Sequence, residues 1–272
     1  MNEFLQVMLW PFAACLVLAG IHAYLGMHVI EREVIFVDLA LAQIAAVGAG
    51  VALVLGHDLH GTAAYWLSLA FTLVGAGLFA VTRYQKARVP QEAVIGIVYA
   101  VAAALLIVLL SRTGSGDEEI RETLVGNVLL VRPEEVLKMA AIYAGIGVFH
   151  FIFRGRFLAV TRDPVAASKV FSVRLWDFLF YATFGIVVTS SVRVAGVLLV
   201  FSFLVVPAAC AVLFADRVRT RLALGWFLGF FGSAAGVTAS YVFDLPTGAS
   251  VVCAFGALLA FLSVVKYAIS KI

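Results

Sequence analysis

Two polar side chains, Asp38 and Gln43, stand in an otherwise apolar run from Val34 to Gly56, VIFVDLALAQIAAVGAGVALVLG. An ionised carboxylate near hydrocarbon costs about 2.5–3.5 kcal/mol on the insertion scale, and it is kept where it faces a bundle interior or a wet cavity. The chemistry open to it there is to hold a cation in passage. Gln43 would add a carbonyl oxygen, and an oxygen-only set suits hard divalent ions without selecting one. On a regular helix the two side chains point about 140° apart, so they share an ion only if the helix bulges or a second protomer contributes. Asp38 also lies one turn inside the run, so a helix-start cap at headgroup level is the rival reading. His22, midway along the preceding apolar run, is a further pathway candidate, and a neutral packing histidine fits the same position.

Other polar groups are weaker candidates. His57-Asp58-Leu59-His60 could touch a cation, yet two imidazoles and a carboxylate on a short loop fit a solvated loop as well. Asn127 and Asp244 could line an entrance or serve as turn residues. His150 reads as interfacial, and Asp177, close to Arg174, as a cap or ion-pair partner rather than a ligand. Cys15, Cys210 and Cys253 sit far apart in apolar runs and read as small core residues. No His-Glu-x-x-His occurs, and no serine lies close in sequence to a histidine at membrane depth, which speaks against an intramembrane enzyme. No phosphate loop of the Gly-x-x-x-x-Gly-Lys-Ser/Thr type is present.

The elements that must position these groups are membrane spans. Of the 272 residues, 64% are hydrophobic and only 13% charged, where a soluble domain carries about 25% charged. The mean hydropathy is +1.08. The fold class is therefore all-α, a polytopic helical bundle, and the whole chain, 1–272, reads as one transmembrane domain. Nine candidate spans, each near the ~20 residues a crossing needs, run at 7–27, 34–56, 62–82, 91–111, 134–153, 176–191, 194–214, 220–241 and 247–268. The sixth is short, and the Ser190-Ser191-Val192-Arg193 break after it is weak, so eight spans are the alternative. Fourteen Lys and Arg fall at one set of ends and loops, and five (Arg112, Arg121, Arg132, Lys138, Arg193) at the other. The positive-inside rule then puts the N-terminus outside and the C-terminus in the cytoplasm, which needs an odd count. No basic patch interleaved with aromatics suggests nucleic-acid binding.

The longest cytoplasmic stretch, 154–176, contains Arg162-Asp163-Pro164 followed by Ala166 and Ala167. Asp suits a helix N-cap and Pro the first helical position. Small residues there permit close approach, so a short helix docking to a protein is expected, with an amphipathic helix resting on lipid as the alternative.

Four passages, taken in order, resemble the permease subunit of the metal-ion ABC importers of the zinc, manganese and iron type: EREVIFVDLALAQIAAVG, FLAVTRDPVAASKVF, VAGVLLVFSFLVVPAACA and SYVFDLPTGASVV. LVGNVLL, residues 124–130, also fits, and the likeness covers roughly residues 7–268. The resemblance implies a plasma-membrane (inner-membrane) permease that pairs as a homodimer and moves a divalent metal ion into the cytoplasm. It implies cytoplasmic ATPase subunits that bind the ATP, an extracytoplasmic metal-binding protein that delivers the ion, and no cofactor resident in this chain. The implied coupling helix falls on Arg162, Asp163, Pro164 and Ala167. A permease for a metal chelate would share the architecture. One position departs from the family pattern: Gln43 stands where the family typically has a histidine four residues after an aspartate, so the metal's identity does not transfer.

Overall fold

The computed structural model describes residues 3–59, 61–83, 89–111, 126 and 128–271. A long apolar run can satisfy its backbone in hydrocarbon only as a helix or a closed barrel, and the described residues form helices. They are α1 (Glu3–Glu31), α2 (Val37–Val54), α3 (Thr62–Thr82), α4 (Gln91–Leu110), a 3-10 turn (Val128–Leu130), α5 (Pro133–Ile152), α6 (Arg154–Arg162), α7 (Pro164–Ser168), α8 (Val173–Phe214), α9 (Val218–Phe243) and α10 (Thr247–Ile269). Among the described residues, eight helices are long and apolar enough to cross a membrane. Large apolar side chains such as Val74, Phe151 and Phe261 are exposed, as lipid-facing surfaces allow.

The sixth and seventh spans expected from the sequence fall on one 42-residue element, α8, whose backbone leaves helical geometry at Gly196, with φ 75° and ψ 161°. At 1.5 Å per residue the element amounts to about 63 Å of helix, twice a ~30 Å hydrocarbon core. The break lies beyond the expected serines because those serines join the helix. Ser190 Oγ donates to the Ile186 carbonyl at 2.8 Å, and Ser191 Oγ to that of Val187 at 2.6 Å, the back-bonding that lets serine sit inside a helix. The positive φ then falls on a glycine, which carries no Cβ penalty. Gly126, itself at φ 63°, packs on the Ala195–Gly196 backbone with no room for a Cβ. The helix runs on through Pro207.

The chain divides into two compact units, interleaved in sequence. One comprises Met1–Ile30, Leu124–Gly145 and Arg193–Ile272. Its packing depends on small residues, as membrane helix interfaces do. Gly225 and Gly229 of α9 meet Ala23 and Ala19 of α1, while Gly232 and Gly236 meet Phe255 and Val251 of α10. Trp226 Nε1 donates to the Gly20 carbonyl at 2.9 Å. Cys15 and Cys210 are buried, as expected, but Cys253 is exposed.

The other unit comprises Glu31–Thr123 and Ile146–Val192. Here α2 packs against both α3 and α4. Gly48 lies on the Leu67–Ser68 backbone of α3, and Gly75 of α3 lies on Ile44 of α2. Val47, Ala102, Leu106 and Leu110 form the apolar seam between α2 and α4.

Candidate functional site

Asp38 sits in the first turn of α2, whose N-cap residue, Phe36, offers no side-chain cap. A carboxylate is favoured there by the helix dipole, which accounts for its position along the chain but not for its surroundings. Asp38 is 2% exposed, and its Oδ1 has no hydrogen-bond partner among the described residues. Within the chain, the side chain is thus shielded from solvent. The amide that Asp38 does not cap is served by a neighbouring helix: Phe36 N donates to Glu92 Oε1, from the first turn of α4, at 3.1 Å. Glu92 was not among the residues singled out from the sequence. The available signal was a second acid opening an apolar span at the same end as Asp38.

Gln43 is also buried, at 5% exposure. Since α2 runs as regular helix from Val37 to Val54, no bulge brings Gln43 round to Asp38, and the two remain about 140° apart. His22 belongs to the other unit. It is fully buried, its Nδ1 lies 2.8 Å from the Leu18 carbonyl, and its ring meets Tyr143 edge-on. Among the described residues, no three His, Cys, Asp or Glu side chains converge as metal ligands. His57 is exposed, and His60 and Asn127 lie outside the described residues. Asp244 is exposed and left-handed, at φ 51°, just past the end of α9, a turn geometry that aspartate tolerates. Ser240 secures that turn by donating to the Leu245 carbonyl at 2.8 Å.

The docking segment forms as its residues dictate. Asp163 caps α7 by accepting the Ala166 amide proton at Oδ1, 2.9 Å away, and Pro164 occupies the helix start. Arg162 and Asp163 are exposed, whereas Ala167 is buried. Val165 and Val170 are 72% and 81% exposed. The segment is anchored by a buried charge cluster. Asp177 Oδ1 accepts from Arg32 Nη1 at 2.9 Å and, at close range, from Arg83 Nη1. Arg32 Nε donates to Thr161 Oγ1 at 2.9 Å, and Arg83 Nη2 to the Val160 carbonyl at 3.2 Å, so both bases also hold α6. The Arg32 guanidinium stacks 3.9 Å over Phe180. Burial lowers the Arg32 pKa below its ordinary value, and repulsion from Arg83 lowers it further, while Tyr181 and Asp177 act the other way. Asp177 is thus an ion-pair partner, as its sequence context suggested, with bases far away in sequence.

His150 lies in the last turn of α5. It is 1% exposed, stacked on Phe157 at 4.0 Å, with Nε2 2.8 Å from Thr183 Oγ1. The aromatic cluster of Phe149, Phe157 and Phe180 encloses it.

The model of the ABC 3 transport family matches residues 4–267. The chain belongs to the ABC 3 transport family. The family resemblance read from the sequence and the all-α membrane fold are both borne out. The chain is 27% identical over 252 residues to the manganese transport system membrane protein MntC of Halalkalibacterium halodurans, covering 91% of this chain and 83% of that protein. It is 26% identical over 259 residues to a probable metal transport system membrane protein of Thermotoga maritima, covering 94% and 88%. Its fold is similar to that in a structure of PsaBC from Streptococcus pneumoniae in complex with Fab, with a TM-score of 0.77, 21% identity and coverage of 96% of this chain and 91% of that one. Within this ABC 3 family chain, the buried acids therefore differ in pairing: Asp177 is bridged to two bases, whereas Asp38 has no ion pair among the described residues, although each keeps one oxygen without a hydrogen-bond partner.

Proposed function

We propose that this chain is the permease of an ATP-driven importer that carries a divalent transition-metal ion, manganese before zinc or iron, into the cytoplasm. The family match and the names of its relatives support the class of cargo. The observation that carries the reading is the Asp38 carboxylate, buried in a small-residue helix with an oxygen left open. A passing cation compensates such a group, whereas a permanent partner would have removed the need for one. The carboxylate oxygen chemistry of Asp38, to which Gln43 could add a carbonyl only from the second copy, favours a hard ion. His22, in the unit that does not hold Asp38, is a second candidate lining group.

The chain works as one transmembrane domain, paired with a second copy, with its N-terminus outside and its C-terminus in the cytoplasm. ATP binds to the partner subunits, a reading supported by the lack of a Gly-x-x-x-x-Gly-Lys-Ser/Thr loop in this sequence. A cytoplasmic ATPase docks on the Arg162–Ala167 turn, where exposed Val165 and Val170 offer apolar contacts. A metal-binding protein delivers the ion from outside. A bare-ion pathway favours free metal over a chelate. The test is uptake into proteoliposomes containing the permease with its ATPase. Radiolabelled manganese should accumulate only with ATP, and unlabelled manganese should compete better than zinc or iron. Uptake of a ferric chelate in place of free ions would overturn the reading.

A further inference from the structure

We propose that Glu92 is the second acid of a two-carboxylate cation station with Asp38, formed where the first turns of α2 and α4 meet. This rests on the reading of Asp38 as a pathway group. Both helices open with one acid in the first turn, and they pack along each other. The hydrogen bond from Phe36 N to Glu92 Oε1 holds the Glu92 carboxylate at the start of the helix that carries Asp38.

Capping explains Glu92 Oε1 alone. Glu92 Oε2 and Asp38 Oδ1 are both buried, and neither has a hydrogen-bond partner among the described residues. Two bases of the same unit among the described residues, Arg32 and Arg83, pair with Asp177 instead. Two buried acceptors on neighbouring acids, with no donor or base against them among the described residues, make a site that one divalent cation would neutralise. The accessibility of the pair is graded: Asp38 is 2% exposed, while Glu92 is only partly buried. An ion can thus pass between a dry acid and a wetter one. Two oxygen-bearing side chains and water make a weak, hard site, which suits transit over storage.

The experiment uses the assembled permease–ATPase complex with Glu92→Gln, Glu92→Asp and Asp38→Asn. Glutamine keeps an oxygen to accept the Phe36 amide proton, so Glu92→Gln should melt near the wild-type temperature, and a melt confirms that the protein is folded. The manganese concentration giving half-maximal uptake should rise about tenfold or more in Glu92→Gln, the loss of one charged ligand, with Glu92→Asp in between. Manganese bound to the detergent-purified complex, read from the loss of the free-ion electron spin resonance signal, should fall in parallel. Wild-type half-saturation in Glu92→Gln, with Asp38→Asn inactive, overturns the station and leaves the Asp38 reading standing. If neither variant alters uptake, both readings fall. If Glu92→Gln changes the pH profile of uptake while bound manganese stays the same, the two acids share a proton, and the cation station is overturned.

Discussion

Replacing Asp177 by asparagine removes the negative charge that Arg32 and Arg83 share. The Arg32 and Asp177 side chains are fully buried and that of Arg83 is 11% exposed, so water does little to compensate. An asparagine oxygen still accepts a hydrogen bond, but the cluster passes from a net charge of about +1 to about +2 in a low-dielectric setting. Breaking one buried pair costs about 3–5 kcal/mol, and with two guanidiniums stranded the upper part of that range applies. At roughly 2–4 °C per kcal/mol for a chain of this size, the melting temperature should fall by roughly 8–20 °C. The assay is a thermal melt of the detergent-purified protein followed by size-exclusion chromatography. The double variant Arg32→Met/Asp177→Asn returns the cluster to a net charge of about +1 and seats an apolar side chain against Phe180. It should recover part of the loss, a coupling above about 0.5 kcal/mol. A single variant that melts within about 2 °C of wild type, or strict additivity in the double variant, would refute the pairing.

Two other substitutions separate docking from folding. Asp163→Ala removes a cap worth about 1 kcal/mol from a five-residue helix; the global melt should hold, while ATPase capture in a pull-down and ATP-driven uptake should fall several-fold. Gly126→Ala places a Cβ at φ 63° against the Ala195–Gly196 backbone, where backbone strain alone costs of order 1–3 kcal/mol. The yield of folded protein should drop sharply, as checked by the monodisperse fraction after purification.

Where a feature is local, its residues announced it. The third span was expected at 62–82 and is Thr62–Thr82, because polar turns bracket a single apolar run. The Asp163 cap and Pro164 start were legible because capping involves atoms three residues apart. What involves distant residues was not. Asp177 lies beside Arg174 in sequence, yet its partners are 145 and 94 residues away. Glu92 reaches an amide 56 residues away. The burial of His150 depends on Phe157 and Phe180, whose rings converge only when α5, α6 and α8 fold together. The serine pair looked like a break because serine competes for backbone hydrogen bonds, and it was helical because that competition was resolved within the helix.

The measurement that bears most directly on Asp38 is ATP-driven manganese uptake by proteoliposomes holding matched amounts of folded wild-type and Asp38→Asn complex, with melts run on the same samples. Uptake should fall at least about tenfold, equivalent to about 1.4 kcal/mol. The melting temperature should hold or rise, since an unpaired buried polar group costs about 1–3 kcal/mol that the amide relieves in part. Uptake at the wild-type rate, or a melt lowered as far as that of Asp177→Asn, would make Asp38 a structural acid and contradict its role in carrying the ion.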